Sequence, residues 1–154
     1  MIRLNRILFP TDFSQCSKRA QEYACELADR FHAELHVLHV LADVALMMPE
    51  PGSALSLPQN YLVDMKEDAE KALSGLLPAE WTQGKKVIRA TRMGNPFVEI
   101  GHYAKEHAID LIVLGTHGRS GVTHLLLGSV AEKVVRRSPC PVLTVHPEEH
   151  PPAE

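Results

Sequence analysis

Gly115-Thr-His-Gly118, nine residues, then Gly128-Ser129 is the stretch of this chain whose residue types and spacing could do chemistry. Glycine has no Cβ, so a glycine-punctuated loop lets backbone come close to a bulky anion. The stretch follows an apolar run, Ile109-Asp-Leu-Ile-Val-Leu114, and precedes Ser129-Val-Ala-Glu-Lys-Val-Val-Arg-Arg137, which has helical character. A strand, a glycine loop and a helix N-terminus in that order suit phosphate, because the first helical N–H groups lack partners and the helix dipole is positive there. The same residues have a structural reading. Ser129 and Glu132 match S-x-x-E, a capping box. The two roles are compatible, since a capped N-terminus keeps other N–H groups available to an anion.

Pro10-Thr11-Asp12 ends the first apolar run, Ile7-Leu-Phe9, and has a similar double reading. Asp12 and Gln15 fit a helix-capping pattern. Capping is the default for a lone aspartate there, and the second reading, from a strand end, is a hydrogen bond to ribose hydroxyls or an adenine edge. Arg119 is the one cation of the glycine loop, and His117 and His124 are its histidines. The chain has no G-x-x-x-x-G-K-[ST], so it lacks the lysine and hydroxyl that arrange Mg²⁺-assisted phosphoryl transfer in P-loop proteins. It also has no G-x-G-x-x-G after the first strand, no G-x-S-x-G and no H-E-x-x-H. These residues look able to hold phosphate without machinery to cleave it.

The remaining reactive residues do not cluster. Nine histidines invite a metal, yet His36 and His39 are three apart on a strand and so point to opposite faces. His102 and His107 are five apart on a helix, a poor separation for sharing one ion. The three cysteines, Cys16, Cys25 and Cys140, form no CxxC pair, which argues against a disulfide framework and fits a reducing, cytoplasmic compartment. A formal net charge of −3 offers no general attraction to nucleic acid or anionic membrane. No apolar run approaches membrane-spanning length, and the N-terminal residues do not read as a signal peptide.

The elements that must position the candidate residues follow from periodicity. Strands are expected at Ile7–Phe9, Glu34–Leu41, Lys86–Arg92, Ile109–Leu114 and Pro141–Val145. Helices are expected over Ser14–Phe31, over Tyr61–Leu77 with a Glu67–Lys71 pair, from Asn95-Pro96 through Ala108, and over Ser129–Arg137. Asn95 suits an N-cap and Pro96 the first helical position. The connection Met47–Asn60, rich in proline, reads as a mobile segment or partial lid. At 154 residues with 45% apolar and 23% charged content, the chain fits one domain over 1–147 and a polar, Pro-rich tail over 148–154. Strands alternating with helices imply an α/β, doubly wound parallel sheet, whose ligands bind beyond the carboxyl ends of the strands.

With these pieces together the chain resembles the universal stress protein family along nearly its whole length, in the ATP-binding branch that keeps the glycines. The resemblance rests on Ile7-Leu-Phe-Pro-Thr-Asp-Phe-Ser14, on Leu38-His-Val40, on Gly115-Thr-His-Gly118 followed by Gly128-Ser129-Val130, and on Val134-Val-Arg-Arg-Ser-Pro-Cys-Pro-Val-Leu-Thr-Val145. It implies an open five-stranded sheet of order 3-2-1-4-5, of the adenine-nucleotide alpha-hydrolase-like type, with the first and fourth strands side by side. It implies Asp12 toward ribose, the Val40 backbone toward adenine, Gly115 and Gly118 where the chain approaches ribose and phosphates, and Gly128, Ser129 and Val130 on phosphate oxygens. Pro10, Thr11, His117 and Arg119 adjoin that site. The implied ligand is ATP, alone or with Mg²⁺ or Mn²⁺, and the implied assembly is a homodimer through Pro141–Val145. The functional expectation is a nucleotide-dependent stress-response or regulatory module. The alternatives are a slow ATPase or self-phosphorylating phosphotransferase, and a nucleotide-free dimeric scaffold.

Overall fold

Amphipathic helices joined to short apolar strands bury their stripes by folding back onto a shared sheet, which forces successive strands to run parallel. The computed structural model describes residues 1–43, 60–117 and 127–147. Within them the strands are β1 (Arg6–Pro10), β2 (Glu34–Ala42), β3 (Val87–Gly94), β4 (Leu111–Gly115) and β5 (Val142–Val145). The helices are α1 (Gln15–Phe31), α2 (Tyr61–Leu76), α3 (Ala79–Thr82), α4 (Pro96–Glu106) and α5 (Ser129–Arg137). All four strand pairings are parallel and the order is β3-β2-β1-β4-β5, as the resemblance implies. Most of the Met47–Asn60 connection, together with Gly118, Arg119, His124 and the tail 148–154, lies outside the described residues.

The central strand is apolar on both faces: Ile7, Leu8 and Phe9 are fully buried. Ile7 and Phe9 face α1 and α2, where Ala20, Ala24 and Ala28 give α1 a small-residue stripe that packs close to the sheet beside Leu73 of α2. Leu8, Leu38, Ile112 and Leu114 face the other way, onto Ile100, Tyr103 and Ala104 of α4 and Ala131 and Val134 of α5. The two cores put helices on both faces of the sheet.

The structure corrects the local expectations in several places. α3 was not foreseen, because four residues are too few to show a helical period; Pro78 at its N-cap separates it from α2. Its Trp81 packs on the α1 core and donates Nε1–H to Asp29 at 3.0 Å. The capping box does not form. Gly128, extended at φ −67° and ψ 161°, takes the N-cap of α5, so Ser129 sits one position inside the helix and Glu132 pairs with Arg136 at 3.1 Å instead. Asp12 does not cap α1 either. Ser14 holds that position, and Asp12 Oδ1 accepts the Ser14 N–H at 2.9 Å in a turn just before it. On α2 the i,i+4 ion pair is Lys66 to Glu70 rather than Glu67 to Lys71.

Candidate functional site

The winding direction of the sheet reverses between β1 and β4, and the crevice that the reversal opens lies at the strands' carboxyl ends. It is a cavity of about 330 Å³, a size suited to a small ligand. Pro10, Thr11 and Asp12 from the end of β1, Val40 from β2, Gly115 and His117 from the end of β4, and Gly128, Ser129 and Val130 from the start of α5 all line it. Nine of the eleven residues singled out from sequence are therefore gathered here, and the other two, Gly118 and Arg119, lie outside the described residues.

Ser129, Val130 and Ala131 open α5, so their N–H groups have no acceptor within the helix, and all three residues border the crevice. The positive end of the α5 dipole therefore faces the same cavity as the Asp12 turn.

Gly115 has a packing reason to be glycine. A Cβ there would stand 3.0 Å from the Cys16 carbonyl oxygen, closer than ordinary van der Waals contact, because the end of β4 runs tight against the first turn of α1. Thr116 follows as a fully buried junction. Its N–H donates to the Val145 carbonyl at 3.0 Å, and its own carbonyl accepts the Gly128 N–H at 2.6 Å. Its hydroxyl lies 2.9 Å from His117 Nδ1 and 3.4 Å from His146 Nδ1.

Across the crevice, hydroxyls fix the β1–α1 turn. Ser17 Oγ donates to the Ser14 carbonyl at 2.8 Å, so its remaining capacity is to accept, and Thr11 Oγ1 donates to it at 3.2 Å. Thr11 Oγ1 in turn accepts the Phe13 N–H at 3.0 Å. Phe13 sits in the left-handed region at φ 61°.

A larger hollow of about 490 Å³ lies at the opposite, amino-terminal edge of the sheet, between α1, α3 and the starts of β2 and β3. Its charged groups are already spent on one another. Lys85 pairs with Asp29 at 2.5 Å and covers the Trp81 ring at 4.0 Å, and Lys86 pairs with Glu34. The Lys85 hydrogen bond holds the Asp29 carboxyl below its usual range. Under the sheet, Glu34 Oε1 meets His36 Nε2 at 2.6 Å and His36 Nδ1 meets the Tyr103 hydroxyl at 2.9 Å. His36 is 1% exposed, so this chain of groups is a core network closed to substrate. Among the described residues no group of three or more His, Cys, Asp or Glu is placed to hold a metal ion.

Sequence reasoning missed Ser17, Leu38, Pro96, Ile100, Leu114, Thr116 and Ala131, which also line the crevice. Thr116 and Ala131 adjoin the glycine motif and were within reach. Pro96 and Ile100 belong to α4, and only the three-dimensional packing of α4 on the β1–β2–β4 face brings them near Val40.

The model of the universal stress protein family matches residues 3–146. Universal stress protein MJ0531 of Methanocaldococcus jannaschii is 36% identical over 144 residues, covering 91% of this chain and 81% of that protein. Universal stress protein YxiE of Bacillus subtilis is 33% identical over 145 residues, covering 92% and 98%. The solved structure of MJ0577 from M. jannaschii matches with a TM-score of 0.82 at 27% identity, over 97% of this chain and 100% of that one. A universal stress protein solved in complex with cAMP matches with a TM-score of 0.60 at 25% identity, over 94% and 98%. Sequence, fold and the crevice at the strand reversal agree, and the chain belongs to the universal stress protein family.

Proposed function

We propose that this chain binds an adenine nucleotide, ATP foremost, in the crevice between β1 and β4, and acts as a nucleotide-dependent regulatory module of the stress response. The observation that carries the reading is that the α5 N-terminus, Gly115 and the Asp12 turn line one cavity. An anion and a sugar hydroxyl could be held there at once. Gly128, Ser129 and Val130 take the phosphates, Asp12 the ribose and the Val40 backbone the adenine. Pro10, Thr11, Gly115 and His117 shape the walls, and Gly118 and Arg119 complete the phosphate approach. Mg²⁺ or Mn²⁺ would neutralise charge on the triphosphate. The cAMP complex of a related universal stress protein supports the adenine class of ligand.

The protein assembles as a homodimer through β5. Among the described residues that strand ends the sheet and pairs only with β4, so its outer edge is a template for a second copy.

Calorimetric titration with ATP, ADP, AMP and cAMP tests the reading. Ser129 is the first residue of α5, where proline is tolerated, and the extended Gly128 before it is compatible with proline. Ser129→Pro deletes one phosphate-facing N–H and should weaken ATP binding about tenfold, the worth of one hydrogen bond to a charged group. Ser129→Ala keeps that N–H and should lose less. Failure of the wild-type protein to bind any of these nucleotides defeats the reading. Single-turnover measurement with labelled ATP separates holding from hydrolysis, and fast metal-dependent phosphate release would replace the regulatory module with an ATPase.

A further inference from the structure

β2 runs past the end of β1, and Thr11 is the residue where the two strands part. Its N–H donates to the Leu38 carbonyl at 2.8 Å, the last rung of the ladder. In a parallel ladder a residue whose N–H reaches position j−1 of its neighbour receives at its own carbonyl the N–H of position j+1. For Thr11 that donor would be the Val40 amide. The Thr11 carbonyl oxygen instead accepts from a side chain, His39 Nδ1, at 2.8 Å. A carbonyl can only accept, so this bond fixes the proton on Nδ1. The His39 ring also lies against the Phe13 ring, centroids 4.5 Å apart, and Phe13 is the left-handed residue of the β1–α1 turn. His39 is 8% exposed and stays on the α1 side of the sheet, away from the cavity that Val40 borders.

We infer that His39 is a positioning residue for base recognition: its imidazole takes the Thr11 carbonyl in place of the Val40 amide, which leaves that amide to the crevice as a donor for the nucleobase edge. The inference rests on the adenine-nucleotide reading for its ligand, and on the ladder geometry alone for its structural half. Loss of the imidazole donor lets the Thr11 carbonyl capture the Val40 N–H and extend the ladder by one rung. The base then loses its donor, while the phosphate subsite at α5 is untouched.

The test compares wild type, His39→Leu and His39→Asn, the last retaining an N–H donor near the Nδ1 position. Nucleotide affinity is measured with ATP and with inorganic tripolyphosphate, which has no base. His39→Leu should bind ATP about tenfold more weakly and tripolyphosphate unchanged, and His39→Asn should recover most of the ATP affinity. A general structural defect would lower both ligands together and would not respond to asparagine. Amide hydrogen exchange reads the same device without ligand: the Val40 amide should exchange faster than its ladder-bonded neighbours in wild type and become protected in His39→Leu. ATP affinity unchanged in folded His39→Leu, an equal loss of tripolyphosphate, or a Val40 amide already protected in wild type would each overturn the inference. A wild-type protein that ignores adenine nucleotides but shows the exchange pattern would remove the ligand and keep the ladder switch.

Discussion

The Tyr103 hydroxyl donates its proton to Nδ1 of His36 across 2.9 Å, because Nε2 of the same ring is committed as a donor to the Glu34 carboxylate at 2.6 Å. The two bonds select one neutral tautomer. Burial pushes the His36 imidazole below its ordinary 6.5, against the upward pull of the Glu34 carboxylate. Burial works against the Glu34 carboxylate too, yet the bonds from Lys86 and His36 outweigh it and hold that group below its ordinary 4.5.

Two acid-side losses are therefore expected. A lowered folded pKa means that the unfolded chain takes up protons first. The His36 contribution is thus complete above about pH 6.5 and drains as pH falls through the folded value, and Glu34 adds a second loss below about pH 4.5. Urea midpoints recorded from neutral to acid pH should show both steps, and His36→Leu should lack the first. Tyr103→Phe removes the donor to a buried acceptor and should cost about 1–3 kcal/mol at neutral pH. A midpoint unmoved by Tyr103→Phe would mean that the phenol is not spent on His36.

Gly115→Ala tests the close approach of β4 to α1. The added Cβ meets the Cys16 carbonyl at 3.0 Å, and a backbone oxygen cannot swing aside as a flexible side chain would. Overpacking of this kind costs about 1–3 kcal/mol. Chemical denaturation measures it, and wild-type stability in the variant would show that the turn relaxes freely.

Burial pushes the Cys25 thiol up to about 12, helped by the nearby Asp29 carboxylate. The thiolate is the reactive form, so Cys25 should resist iodoacetamide in the folded protein and label only as the chain unfolds, as peptide mapping can follow. The raised value also stabilises the fold below the ordinary 9.0 and withdraws that help as pH climbs from 9.0 toward 12. Cys25→Ala should flatten this alkaline decline, and an unchanged slope would locate it elsewhere.

The open edge of the sheet can be probed with one proline. The Pro141 and Val145 carbonyls both point to β4, so by strand alternation the backbone of Val142 and Thr144 points outward. Thr144→Pro deletes an outward N–H while sparing the ladder to β4. Sedimentation should show a dimer for wild type and a folded monomer for the variant. A wild-type monomer would remove the proposed assembly.

Much of this architecture is written in periodicity. Ile7-Leu-Phe9 reads as a strand because three consecutive apolar residues suit a strand covered on both faces, and all three are buried. The helical stripe expected of Ala20, Tyr23, Ala24, Leu27, Ala28 and Phe31 is met by the three alanines, with Leu27 packed against their core, while Tyr23 and Phe31 stay exposed. Local pattern also marks the parts of the crevice, the ends of β1 and β4 and the start of α5; that these parts adjoin, and that Val40 joins them, is implied only by the family resemblance. Caps were less legible. S-x-x-E at Ser129 is a true local preference, but the extended Gly128 enters the helix one residue earlier. His39 stayed hidden as well. Its spacing from His36 says only that the two rings face opposite ways; that one of them ends a backbone ladder depends on where β1 stops beside β2.

Thr116 receives the Gly128 N–H at 2.6 Å, so the chain leaves the sheet for the glycine segment and returns to the residue it left. The two ends of that segment are thereby held together by the frame itself. Doubling its length should cost only about 0.6 kcal/mol of closure entropy, and neither β4 nor α5 need shift to accommodate it. The sheet is thus a chassis whose joint from β4 to α5 is set at Thr116 and Gly128.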